Sequence, residues 1–455
     1  MFESSASKSG ASNALVLGLV LIAIVAGFYK VAHRPSPALF KVPASIQHEG
    51  MQKFGTQQTG EAAIRTHFVS TQQNISTHAA SLVELSDGHI SAFWFAGSRE
   101  GAEDVEIRSA IFDPAKNIWG AEHSVATREG TQRALMRYVK KLGNPVAQRA
   151  PDGTLWLYYV TVSLGGWAGS SITAITSKDD GATWSPARRL ITSPFINIST
   201  LIKGTPFLYR DGTTGLPVYH EFIGKFGELL RIDSSGGIID KHRLSSGKST
   251  LQPVMLIKDP QRALVLMRRS GSSPKRVIAT MTDDAGQHWS LPANTTLANP
   301  DAAISGVVLA DGKILLVLNN LEQGRDALSL VVSADGGNTW KTIYQLEDQR
   351  NQPKGQSNYP ARYLQISSEL AKATEASITD TTGYAKSAQR NKCEAQGCDF
   401  EFSYPYLIQA RNGDFHLVYT WNRSFIKHVQ FTRAWLDQRM EKINDMEKAG
   451  DAKLH

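Results

Sequence analysis

Two histidine–carboxylate pairings in the sequence have the residue types of acid–base chemistry. His78 opens an alternating run, and an imidazole there can act as a general base near neutral pH, with Asp104 or Glu100 as its acid partner. His220 and Glu221 follow Leu216-Pro217-Val218-Tyr219 and form a second such pair at a strand end. Arg268 and Arg325 are guanidinium groups suited to gripping a carboxylate with two hydrogen bonds each. Trp167, in Gly165-Gly166-Trp167, offers a flat face to a ligand ring. The sequence has no cluster of metal ligands, no Gly-rich phosphate loop and no Gly-x-Ser-x-Gly elbow, so the expected chemistry needs no cofactor.

Residues so far apart meet only if a repeating scaffold gathers them, and the chain carries one. Ser/Thr-x-Asp-x-Gly-x-x-Trp occurs at Ser177, Asp179, Gly181 and Trp184, at Thr282, Asp284, Gly286 and Trp289, and at Ser333, Asp335, Gly337 and Trp340. Each copy follows a β-branched or alternating run, as a turn between strands does. Asp folds its carboxylate onto backbone N–H groups, Gly supplies positive φ, and Trp pins the turn to the sheet. Asp113 with Trp119, and Asp233 with Gly236, fit the same rhythm, so the turn aspartates recur roughly every 50 to 65 residues. A unit of that length with several short strands is a propeller blade. Five turns and a last unit from about Ser403 to Trp435 predict an all-β, six-bladed β-propeller over residues 66–437, with no helix needed between 66 and 340. Asp-Gly or Asn-Gly pairs beginning at 87, 152, 211, 311 and 412 mark further hairpins of the blades. The turn residues are expected to staple blades rather than to do chemistry.

Outside the repeat, residues 346–400 lose alternation and read as an insertion over one face, with one short helix near Ser367 to Glu375. Residues 438–455 read as a tail, a solvated helix or a loose end. Near the start, Ala14 to Tyr29 is an apolar run of about 16 residues, just under the roughly 17 to 25 of a membrane span. With no small-x-small site after it, residues 1–30 are expected to be a membrane-anchor helix rather than a cleaved signal, followed by a linker over 31–65. Lys30 and Arg34 after the run, against Lys8 before it, argue weakly against export. Cys393 and Cys398 are the only cysteines and are expected to bridge in an oxidising compartment. A net charge of +7 is spread along the chain, with no basic-aromatic tract to suggest nucleic-acid binding, so no nucleic-acid partner is expected.

Several phrases, together with the Asp-turn repeats, resemble the sialidase superfamily, and especially its bacterial sialidase-like branch with Asp-box (BNR) repeats. They are His78-Ala-Ala, Gly97-Ser-Arg-Glu100, Gly143-Asn144-Pro145, Gln252-Pro253, Glu401-Phe-Ser-Tyr404-Pro405, Tyr419-Thr-Trp421-Asn-Arg423 and Lys427-His428. The resemblance covers about four fifths of the chain and is specific for the fold, much less for the reaction. Sialidases hold the substrate carboxylate with three arginines, attack with a glutamate-activated tyrosine, and use an aspartate as acid/base. By position, the resemblance implies Asp104 as acid/base, Arg268 and Arg325 as two of the arginines, and Tyr404 as nucleophile. Three positions depart: His78 stands in place of the first arginine, Thr420 in place of the glutamate that steadies it, and Gln252 in place of the activating glutamate. Losing the first two together avoids a buried charge without a mate. Losing the third is more serious, because a tyrosine without a base stays protonated at neutral pH and attacks poorly.

The resemblance implies a cofactor-free glycan-active enzyme, an exo-glycosidase acting on an acidic sugar. The alternatives are a non-catalytic carbohydrate-binding propeller, a uronate-directed polysaccharide lyase, and a protein-interaction scaffold. The expected catalytic set is His78, Asp104, Tyr404 and Glu221, with Arg268, Arg325, Gln252, His220 and Trp167 binding a carboxylated carbohydrate in one cleft. A propeller of this kind behind one hydrophobic segment is expected to be exported, on the periplasmic or extracellular side of the membrane.

Overall fold

The computed structural model describes residues 7–32, 38–43, 61–193, 197–245, 249–271, 273–352, 359–394 and 397–451. The chain divides into two compact units, Met1–Ala38 and Leu39–His455. The first contains helix α1, Ser7–Ala32. No helix among the described residues is long and apolar enough to cross a membrane. The expected anchor is therefore unsupported: the apolar run is about 16 residues and meets Lys30. Most of the expected linker, and the chain end after 451, lie outside the described residues.

The second unit is a six-bladed propeller. Its blades have Ser76–Glu84, Lys141–Arg149, Leu201–Ile202, Thr250–Ile257, Ser305–Val308 and Phe402–Gln409 as innermost strands, in chain order. Within each blade the strands pair antiparallel with strands close in sequence. The exception closes the ring. Ile64–Phe68, which precedes the first blade, pairs antiparallel with Phe425–Phe431 as the outer strand of the sixth. Within the expected linker, Phe40 is buried against Phe207 and Tyr209 and its N–H donates to Pro260 O (2.8 Å).

The Asp turns lie where the repeat requires, between the third and outer strands of blades two, four and five. In the first, Asp179 accepts from Thr183 N (2.8 Å) and Thr183 Oγ1 (2.6 Å), while Gly181 N donates to Ser177 Oγ (2.8 Å). The same bonds recur from His288 N to Asp284 (2.9 Å) and from Thr339 N to Asp335 (2.9 Å). Thr183 and Ser177 together hold the Asp179 carboxyl down at about 2. The weaker turns at Asp113 and Asp233 occupy the equivalent places in blades one and three.

Helices form where strand alternation lapses, and one of them falls within residues 66–340, where none was expected. α2, Arg128–Leu135, joins blades one and two; Thr127 caps it, accepting from Gly130 N (3.0 Å), and Thr131 bonds Tyr159 OH (2.9 Å). The insertion forms two helices rather than one, α3 (Tyr359–Thr374) and α4 (Thr381–Lys392), with Asp380 capping the latter. Their buried Tyr359, Tyr363, Ala371, Tyr384 and Ala388 share a core with Phe68, Trp421 and Phe425 of the sixth blade. The Cys393–Cys398 disulfide follows α4, with Cα atoms 4.0 Å apart. The expected tail is helix α5, Arg433–Asp451, whose first turn buries Trp435 and Leu436 in the same core.

Between blades six and one lies a buried relay of imidazoles. Trp119 Nε1 donates to His428 Nδ1 (3.1 Å), so a neutral His428 keeps its proton on Nε2 and donates to His416 Nδ1 (3.0 Å). Burial pushes His428 well below 6.5 and His416 to about 4. A proton added to His428 Nδ1 would face the indole N–H. The stability this relay supplies is present above about 6.5, the unfolded value, and is lost as pH falls from there towards 4. Acidification across that window is expected to cost on the order of 3 kcal/mol from His416 alone. Denaturant midpoints measured from pH 7 to 4 should fall steeply, and less steeply in His416→Gln; parallel slopes would exclude the relay as their cause.

Candidate active site

Each blade places at least one non-glycine residue in the left-handed region at or just before its innermost strand, and six of them stand at comparable places. These are Ala79, Asn144, Ser199, Gln252, Asp301 and Tyr404, with φ of 54°, 42°, 59°, 53°, 64° and 55°. At Ala79, Asn144, Gln252 and Tyr404 the strand register also shifts. A bulge leaves a residue unpaired and re-aims its side chain, and backbone of this kind gathers at functional sites. Here it directs Gln252 and Tyr404 at one another.

The Tyr404 hydroxyl oxygen accepts from Gln252 Nε2 (3.2 Å) and Arg268 Nη1 (3.3 Å). Arg268 Nη1 also donates to Gln252 Oε1 (3.1 Å), which fixes the amide with its NH2 towards the phenol. Arg268 Nε donates to Asp301 Oδ1 (2.5 Å), and Arg325 Nη2 to the Asp301 carbonyl (2.8 Å). Arg325 Nη1 reaches Glu401 Oε1 (3.3 Å). Glu401 also accepts from Arg423 Nε (3.0 and 3.1 Å), Lys392 Nζ (2.9 Å) and Ser403 Oγ (2.7 Å). Burial would raise the Glu401 carboxyl, but Arg423, Lys392 and Arg325 hold it well below the usual carboxylate range. Asp301 and Glu401 thus orient three arginines, one each from blades four, five and six.

Below Tyr404 lies a buried layer. The His78 ring packs on the Tyr404 ring at 4.2 Å between centroids, and its Nδ1 bonds Thr420 Oγ1 (2.9 Å). Lys203 Nζ donates to Pro405 O (3.3 Å) and lies 4.8 Å from the Tyr406 ring centroid; burial lowers its amine to about 7.

Residues 88–417 match the family model described as BNR repeat-like domain. The chain belongs to this family. Comparison with curated proteins gives no match. Solved structures with the same fold include the Hadza microbial sialidase Hz136, at 15% identity and TM-score 0.57 over 79% of this chain and 66% of that one. They also include the NanB sialidase from Streptococcus pneumoniae, at 10% and 0.55 over 86% and 73%. A third is the intramolecular trans-sialidase from Ruminococcus gnavus, at 12% and 0.55 over 81% and 97%. At such identities the likeness shows a shared sialidase-like propeller.

Within this BNR-repeat propeller the expected residues separate. Tyr404, Arg268 and Gln252 are in direct contact, and Arg325 joins them through Asp301. Glu221 lies near Lys225, Arg268 and Asp301, with its carboxyl raised by burial. His78 is in the group, but a general-base role does not suit it. It is only 2% exposed, its Nδ1 is engaged, and burial followed by Arg423 lowers its pKa well below 6.5. His220 turns elsewhere, accepting from Ile223 N (3.2 Å) and stacking on Phe226. Asp104 is exposed and accepts from Ser98 N (2.8 Å) and Ser98 Oγ (2.9 Å), so its bonds cap a loop. Glu100 pairs with Arg423 (2.5 Å). Trp167 lies under Lys141 Nζ (4.0 Å) and against Gly143, where a Cβ would come within 2.6 Å of the indole. Asp301 and Lys203 were missed, and so were the roles of Arg423 and Glu401, although both stand in phrases that carry the family resemblance.

Proposed function

We propose that this propeller binds and acts on a carboxylated glycan, as an exo-glycosidase for an acidic sugar. The observation that carries this reading is the trio Arg268, Arg325 and Arg423, held by Asp301 and Glu401 beside the Tyr404 hydroxyl. Three fixed guanidinium groups suit a planar carboxylate, and Arg423 supplies the cation lost where His78 replaces an arginine. The sialidase neighbours support the substrate class by analogy of fold.

The phenol oxygen already accepts from two donors, so its own proton is left for the ligand. We assign Tyr404 the role of hydrogen-bond donor rather than nucleophile, with His78 positioning its ring. Glu221, whose carboxyl is raised by burial, is the group suited to protonate a leaving glycosidic oxygen. A second reading, a carbohydrate-binding propeller without turnover, is favoured by Gln252, which cannot accept the tyrosine proton. The propeller is proposed to work in an exported, oxidising compartment, which the disulfide supports.

A panel of sialosides and uronosides tests the reading. The purified protein should release little or no fluorophore from a standard fluorogenic sialoside, while titration calorimetry shows binding of a uronate-bearing glycan. Rapid sialoside turnover would refute the role given to Tyr404. Binding without cleavage of any glycan would leave the second reading, and a product absorbing in the ultraviolet would identify an eliminating enzyme.

A further inference from the structure

The cleft beside the arginine trio carries more positive charge than a single carboxylate requires. It has a volume of about 490 Å³, and its lining includes Ser98, Arg99, Arg390, Lys392, Glu401 and Arg423. Lys392 and Arg423 share Glu401, and Arg423 also meets Glu100. The remaining two cations are not neutralised in this way. Arg390 donates to the uncharged carbonyl of Asn74, and Arg99, exposed at the rim, pairs with no carboxylate among the described residues. The last turn of α4 brings Arg390 and Lys392 here. Asn391 locks it in place, donating to Ile75 O (2.9 Å), Arg423 O (3.2 Å) and Ser424 Oγ (2.9 Å). Glu401 links cleft and trio: Oε1 accepts from Arg325 and Oε2 from Lys392.

We propose that this cleft is a second anion subsite, contiguous with the first, and that the ligand is a polyanionic glycan bearing acidic groups on successive sugars. The proposal rests on the carboxylate-binding role given to the trio and adds the repeat of charge along the substrate. Two linked sites raise affinity for a linked ligand without strengthening either site alone. Galacturonic acid and its tetramer, titrated calorimetrically at low salt, separate the cases. The wild-type protein should bind the tetramer at least about tenfold tighter than the monomer, an advantage that shrinks as salt is added. Arg99→Ala/Arg390→Gln should erase that advantage, leaving monomer affinity and melting temperature unchanged. Equal affinities in the wild type, or an advantage that survives in the double variant, would overturn the second subsite. The trio's role would still stand if Arg268→Ala removed monomer binding. If the monomer binds and Arg268→Ala leaves it untouched, the trio's role fails, and with it this extension.

Discussion

Arg268→Ala is expected to abolish measurable binding of a carboxylated glycan, whereas Arg269→Ala leaves it unchanged. The two neighbours on one strand face opposite ways. Arg268 meets Tyr404, Gln252 and Asp301, while Arg269 reaches Asn294 (3.4 Å). Truncating one partner of a desolvated, hydrogen-bonded charge pair costs about 2 to 5 kcal/mol, or roughly thirty- to several-thousand-fold in affinity. Part of that loss comes from Asp301, left without its guanidinium and facing an anionic ligand. Arg268→Lys should recover only a fraction, since an ammonium cannot hold Asp301, Gln252 and Tyr404 together. Calorimetry on the three variants, each checked for an intact thermal transition, decides the matter. Retained affinity in Arg268→Ala would remove this arginine from the site.

The second large effect is on stability. Glu401 is 6% exposed and lies amid Arg325, Lys392 and Arg423. Removing one member of a buried ion cluster leaves uncompensated charge, at a cost of about 3 to 5 kcal/mol. Glu401→Ala should therefore lower the denaturant midpoint sharply and loosen the grip on the ligand. The pH dependence carries a sign. Its carboxyl is held well below 4.5, so its contribution is in place above that value and is lost as pH falls through the depressed one. The gap between wild type and Glu401→Ala should accordingly be widest near neutrality and narrow below about 4.5. A gap that stays constant with pH would mean the loss is one of packing.

The repeat was legible because each Asp turn satisfies its bonds locally: Asp179, Ser177, Gly181 and Thr183 lie within seven residues. The closing strand was not, since Ile64–Phe68 is five mixed residues whose partner is remote in sequence. Arg268 and Tyr404 could be placed by position in a known pattern. Arg423 could not, because it sits in a hairpin at φ +57° and acquires meaning only through Glu401. His78 was misjudged for a related reason. Its residue type suggests a base, while its burial, which the sequence does not reveal, keeps it neutral and packed beneath a phenol.

The way the ring is closed also sets the order in which it can be completed. Ile64 pairs with Phe431, so the strand is translated some 367 residues before its partner. Until then the inner sheets can form one by one, but the sixth lacks its rim and the first has no neighbour on one side. Contacts this remote are slow to form, because a long loop must be closed before they give anything back. An unfinished chain therefore offers unpaired strand edges at both ends of an open crescent, which invite aggregation until the last hairpin arrives.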